Sequence, residues 1–465
     1  MRTEGSSAGG ASSRRKGFWS ALSILLVVIV ALLGVMLWCV GKLQNNTTAR
    51  IQAIRDSGLP ASYVDFEAWI GKVSDQENAA IPLQAAIDKH RAPQNPESPI
   101  PYVNKVTPPS FEQPFPDDMM SAASLYLASE QETLLHVNEA AKLSSCRFPL
   151  DLYTGYVYGF QHTAPLLELQ RLMSLKAVYE SETGNGESAY QALISGARLS
   201  EATRSEPTRN SQLNRIDRHA LFVDALEQSL SRTTFSVEQL KSLQEEVEKT
   251  NRGDCMFMES VGERCIFLDR IANSSGSSGP VTVSDLVNLD HWGRRLQSSL
   301  DCERILTVMD SLVEASRLQP SEALERAKHI VEEDSRENQD GLQLFETATI
   351  SDYAQMLCDD VEKQACDTCL LNCAATGIAL LRYRQDNGAF PNALTELVPH
   401  YLQKVPVDWM DNQPLRYIHD EGGFTVYSVG PDKTDNGGLP PEKPSQLKKK
   451  GDIPFTVRLR PVSGT

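Results

Sequence analysis

Three groups of side chains in this chain have types and spacings that could do chemistry. The first is a Gly-rich loop, Ser428-Val429-Gly430-Pro431-Asp432-Lys433-Thr434-Asp435-Asn436-Gly437-Gly438, with Gly451-Asp452-Ile453 following later. Carboxylates, an amide and a hydroxyl on a backbone that Gly lets fold tightly suit a hard cation, which takes six to eight oxygens. Asp432, Thr434, Asn436 and Gly437 match the first half of an EF-hand, but its twelfth position is Lys443, so an EF-hand is rejected. The other reading is a surface turn whose Asp, Asn and Gly supply positive φ. The second group is Cys366, Cys369 and Cys373, with Cys358 before them, all on one face of a long expected helix. Such thiols serve as small buried apolar groups, as disulfide partners of Cys146, Cys255, Cys265 or Cys302, or as metal ligands. One helix does not readily wrap a tetrahedral ion, which favours the first role. The third group is the eight histidines. They are scattered, and none stands in H-E-x-x-H. The chain has no G-x-S-x-G elbow, P-loop or dinucleotide fingerprint. A hydrolase built from distant residues would draw on His162, Asp151 and Glu263.

The elements that must position these groups are legible from pattern. Phe18 to Val40 carries no charge, and as a helix it reaches about 35 Å, enough to cross a bilayer. Arg14, Arg15 and Lys16 precede it, which puts the N-terminus in the cytoplasm and the remainder outside. The run is longer than a signal-peptide core and lacks a small-x-small cleavage site, so an uncleaved anchor is expected. Residues 91–118 are dense in proline and read as an extended loop. Helices are expected at Gln161–Tyr179, Ser188–Ala202, Val237–Lys249 (opened by a Ser236/Gln239 capping box), Ser284–Leu286 onward, Glu322–Glu333 and Ser351–Asp386. The two helices flanking Gly184-Asn185-Gly186 suggest tetratricopeptide-like packing, without a repeat. Asn273 to Pro280 reads as a flexible linker. Strands are expected at Leu415–His419, Phe424–Val429 and Phe455–Leu459. A net charge of −16 argues against a nucleic-acid partner.

The tail carries a resemblance. Tyr383-Arg384-Gln385-Asp386-Asn387-Gly388-Ala389-Phe390-Pro391, Leu394-Thr395-Glu396-Leu397-Val398-Pro399, Val405-Pro406-Val407-Asp408 and Tyr427-Ser428-Val429-Gly430-Pro431-Asp432 resemble the C-terminal half of the major pseudopilin of type II secretion. That head is an assembly and calcium-binding module. The resemblance implies calcium on Asp432 and Asp452, with Ser428 and Asp435 as further ligands. Two features depart from the family: Lys433 replaces a Gly, and Leu439–Lys450 is inserted. Lys16-Gly17-Phe18 is similar to a prepilin-peptidase site, but Leu22 stands where pilins carry Glu, and about 340 residues separate the span from the head. Glu77-Asn78-Ala79-Ala80, Cys146-Arg147-Phe148-Pro149-Leu150-Asp151 and Gly262-Glu263-Arg264 also resemble single-span bacterial membrane proteins that share this tail.

The expected architecture is mainly α. It comprises a cytoplasmic disordered segment (1–17), a transmembrane helix (18–40) in the lipid bilayer, a stalk (42–60), an extracytoplasmic helical domain (61–350), and a long helix with a small α+β pseudopilin-like head (351–465). The expected function is a single-pass envelope protein that presents an interaction surface, with envelope or secretion-system partners. An anchored hydrolase and a pseudopilin processed at Gly17 are the alternatives.

Overall fold

The computed structural model describes residues 10–104, 106–150, 161–251, 254–274, 289–318, 320–340, 348–440 and 451–460. Helix α1 spans Gly10–Asp56. The most apolar 18 residues of its Leu22–Asp56 stretch have a mean hydropathy of 3.0, and only 6% of them are buried. Cys358–Asn387 is also long and apolar enough to cross a bilayer, but 83% of its most apolar 18 residues are buried inside the protein. The first is therefore apolar toward its surroundings, as a membrane crossing requires, and the second is a core helix. The helix starts within the segment expected to be disordered. It also runs through most of the expected stalk, because nothing between Gly41 and Asp56 breaks it.

Among the described residues, the proline-dense stretch holds no helix between α3 (Ala80–Lys89) and α4 (Asp117–Ser129). Two further short helices are α2 (Tyr63–Ile70) and α5 (Gln131–Ala140). The central layer is α6 (Thr163–Glu182), α7 (Gly186–Ser200), α8 (Arg209–Arg232) and α9 (Val237–Thr250). Asn185 caps α7 by accepting from Ser188 N, and the capping box of Ser236 and Gln239 opens α9 as expected. Next come α10 (Cys255–Ser274), α11 (Leu289–Ala315) and α12 (Pro320–Asp340). Of the expected linker, Ser275–Pro280 lies outside the described residues, as does Ser284–Leu286. Toward the C-terminal end of α1, Arg50 pairs with Glu303 (3.0 Å) and Asp310 (3.1 Å) of α11. Ile54 packs with Leu306 and Leu268 below that pair.

Helix α13 spans Ala348–Asn387, close to the expected Ser351–Asp386. It leads through a 3-10 turn at Leu394–Leu397 into an antiparallel sheet of order β1-β2-β3, with β1 Arg416–Asp420, β2 Gly423–Ser428 and β3 Ile453–Arg458. Phe424, Val426, Phe455 and Val457 form one face of that sheet. They are buried in the same core as Ala374, Ile378 and Leu381 of α13. Each such side chain contributes roughly 1.5–3 kcal/mol by burial. That core continues without a break to Leu226 and Leu230 of α8 and to Leu83 of α3. The outer edge of β3 is closed by α8: Thr456 N donates to Glu227 and Arg458 N to Ser231 Oγ (3.2 Å). The β head and the helical layer thus share one interior, across the boundary expected near residue 350.

Candidate functional site

The Gly-rich loop folds back on the sheet. Asp452 is fully buried, and its carboxylate accepts from Asn436 N (3.1 Å) and Gly438 N (2.6 Å). Asp432 accepts from Thr434 N (3.1 Å) and from Gly451 N (3.0 Å), which ties the two halves of the loop together. Gly430 permits that closure, since a Cβ there would lie 2.0 Å from Gly451 O. Asp435 accepts from Tyr427 Oη (3.1 Å) and Gly437 N (2.9 Å). Ser428 points the other way and donates to Asp408 Oδ1 (2.8 Å). The three carboxylates face N–H and O–H donors and do not converge. Among the described residues no three His, Cys, Asp or Glu side chains gather as a metal ion needs. As placed, Asp432, Asp435 and Asp452 accept from loop and sheet donors while Ser428 turns to Asp408, so the four do not line one shell. Of the insertion, residues 441–450 lie outside the described residues.

The hub of the head is Asp408, which sequence reasoning quoted but gave no role. It is fully buried and accepts from Ser428 Oγ, Val429 N (2.9 Å), Met410 N (2.9 Å) and Arg416 Nη1 (2.9 Å). The available signal was an Asp inside an otherwise apolar Val-Pro-Val-Asp run. Cys369 of α13 lies against it, with Sγ 3.5 Å from Asp408 Oδ1. Cys369 takes a hydrogen bond from Trp409 N (3.4 Å), and Cys373 lies against Ile453 O (3.8 Å). All nine cysteines are free thiols. Burial, with Asp408 adding its negative charge, pushes Cys369 and Cys373 well above the ordinary thiol range. Their role is packing between α13 and the head.

The short motifs of the helical part meet one another. Asn78 donates its amide to Arg147 O (3.0 Å) and accepts from Arg147 N (2.9 Å), so one side chain pairs with a strand-like backbone. Ala79 N adds a bond to Ser145 O (2.8 Å). Glu-Asn-Ala-Ala and Cys-Arg-Phe are therefore two halves of one wall. Gly262 brings α10 onto Pro207, where a Cβ would lie 2.1 Å from the Pro207 carbonyl oxygen. The neighbouring Glu263 accepts from Arg209 N (2.8 Å) at the start of α8, and Arg264 pairs with Asp310 (2.7 Å).

The wall borders a cleft of about 690 Å³. Its apolar floor includes Ile70, Leu83, Val137, Leu199 and Met258, and its rim includes Lys142, Arg147, Arg198, Glu201, Arg204, Glu246 and Asp254. The rim carboxylates are held in ion pairs: Glu246 with Arg198 (3.0 Å) and Lys249 (2.9 Å), and Asp254 with Arg204 and Arg215. Glu201 takes Arg215 (2.7 Å) and His219 (2.8 Å). Burial raises the Glu201 carboxyl, but Arg215 and His219 outweigh it and lower it to about 2. Behind the cleft, buried His219 also bonds Asp367 of α13 (2.9 Å). Burial favours the neutral imidazole, yet Asp367 and Glu201 together raise its pKa above the ordinary value. Cys146 on the cleft wall is a poor nucleophile, since burial and Glu206 push its thiol up to about 12.

Of the residues proposed for a hydrolase, His162 is buried, bonds Glu206 (2.7 Å) and stacks on Phe148 at 4.2 Å. Glu263 belongs to the α8–α10 junction, and neither residue is among those lining the cleft. Asp151 and the Tyr153–Tyr158 segment lie outside the described residues. Comparison with protein-family models, curated proteins and solved structures finds no match for this chain.

Proposed function

We propose that this chain is a single-pass, membrane-anchored interaction protein of the bacterial envelope. Its cleft and pseudopilin-like head face the extracytoplasmic side, and its partners are envelope or secretion-system proteins. The observation that carries the reading is the continuity of α1, whose apolar run passes into a segment that Arg50 ties to α11 through Glu303 and Asp310. A rigid link of this kind holds the cleft at a fixed attitude to the bilayer, which suits presentation to a neighbour. The mixed-charge rim over an apolar floor is the composition of a recognition surface. The basic residues ahead of the span support the orientation.

The test is site-specific photo-crosslinking of the full chain in cells. A photoreactive residue at Lys142, on the cleft rim, is compared with one at the well-exposed Leu125 of α4. Recovery of one recurrent envelope protein from position 142 but not from 125 supports the reading. The same background at both positions removes it.

A further inference from the structure

The cleft beside the Asn78–Arg147 contact has binding capacity left over, and it is of one kind. Every rim carboxylate is engaged: Glu246 by Arg198 and Lys249, Asp254 by Arg204 and Arg215, Glu201 by Arg215 and His219. Cations outnumber carboxylates in the lining, although the chain as a whole carries −16. Lys142, exposed just past α5, has no side-chain partner among the described residues, and neither do the hydroxyls of Ser144 and Ser145. The next residue adds a backbone donor. Ser145 O and the backbone of Arg147 are turned to Ala79 and Asn78, whereas Cys146 O accepts from Ser205 Oγ (3.4 Å) on the cleft side. In extended backbone a residue's N–H and C=O point the same way, so the unbonded Cys146 N–H also faces the cleft. A positive charge, two hydroxyls and an N–H thus fall within five consecutive residues of one wall.

We infer that the cleft captures the C-terminal end of a partner protein, an inference that rests on reading the cleft as an interaction surface. The terminal carboxylate is held by Lys142, Ser144, Ser145 and the Cys146 N–H, and the last side chain lies on the apolar floor of Leu83, Val137 and Leu199. A carboxylate only accepts, which is what a cluster of donors with a cation selects. A chain end carries that carboxylate and an apolar side chain on one residue, matching a donor wall and an apolar floor within one cleft. A fatty acid offers the same head group. Its tail, however, would strip water from rim ion pairs that stay partly exposed, with the Arg198 side chain at 43% and Lys249 at 56%. A peptide brings main-chain groups that replace that water.

The experiment uses the full chain in lipid nanodiscs. The probe is a synthetic mixture of random pentapeptides, made once with free C-termini and once amidated, and retained peptides are read by mass spectrometry. Free acids ending in an apolar residue should be retained and should bind about tenfold more tightly than their own amides. A retained peptide should also slow hydrogen exchange at the Cys146 amide. Lys142→Glu should remove the preference for the free acid at an unchanged melting temperature, since that side chain is exposed. The proposal is overturned if acids and amides bind alike, if no peptide is retained, or if Lys142→Glu leaves the preference intact. Slower exchange at Cys146 with dodecanoate but with no peptide would assign the cleft to a lipid, and overturns it too. Photo-crosslinking at position 142 separates this failure from that of the wider reading. A recurrent partner there, with acids and amides bound alike, leaves an interaction surface that takes an internal segment.

Discussion

At the scale of the residue, the buried charges of this protein bind its elements together. Asp408 gathers four donors from three segments of the head, so Asp408→Ala leaves two backbone N–H groups and the Ser428 hydroxyl without their acceptor, while Arg416 keeps Asp411. Leaving a buried donor unsatisfied costs about 1–3 kcal/mol, and urea unfolding should register it as a lower midpoint. Asp408→Asn keeps the shape and should cost less. His219 gives a pH signature. An imidazole whose folded pKa is raised contributes stability that is whole below the unfolded value of about 6.5 and is lost as the pH rises through the folded value. The stability gap between wild type and His219→Gln should therefore be widest below about pH 6 and narrow in alkaline solution. Denaturant titrations at a series of pH values check this. Burial holds Glu227 well above the usual carboxyl range, so its folded state favours the neutral acid. Glu227→Gln keeps an acceptor for Thr456 N and should preserve stability at pH 7. Glu227→Leu leaves that N–H without one and should cost about 1–3 kcal/mol by the same unfolding assay.

At the scale of the element, close approach decides what the short motifs mean. Gly262 is the point where α10 touches the loop before α8, and the obstructing atoms belong to the Pro207 backbone and ring. Backbone cannot step aside as a side-chain tip can. Gly262→Ala should therefore separate the two elements and cost on the order of 3 kcal/mol, visible as a lower melting temperature. The Gly-rich loop follows the same logic with hydrogen bonds. Asp452 and Asp432 bind the loop through backbone N–H groups, so calcium should leave the melting temperature of the full chain unchanged. A rise of several degrees that Asp432→Ala removes would mean that the loop rearranges around a cation. The thiols of α13 divide between two roles: Cys366, Cys369 and Cys373 lie on the part of the helix covered by the head, whereas Cys358 packs against Ala327 of α12.

At the scale of the whole molecule, α1, the long core helix and the β head form one connected object, joined by Arg50 at one end and by α8 and α13 at the other. Intact-mass measurement of the membrane-extracted chain should find residues before Gly17 retained. A species beginning at Phe18 would instead indicate prepilin-type processing. The sequence by itself determined several elements, because helices and hairpins are set by local pattern: the capping box at Ser236, the Asp420–Gly423 turn, the extent of α13 and an uncharged run to Val40 apolar enough to span a membrane could be read in advance, whereas α8 was not. It did not determine which charges would meet. His219 and Asp367 are far apart in the chain, as are Glu227 and Thr456, and no periodicity marks them. Only the tertiary structure joined Asn78 to Arg147, opened the cleft beside them, and turned the oxygen-rich loop toward backbone donors. The physical reason is that a side chain's polar partner is chosen by packing across elements, whereas secondary structure is chosen by neighbours a few residues away.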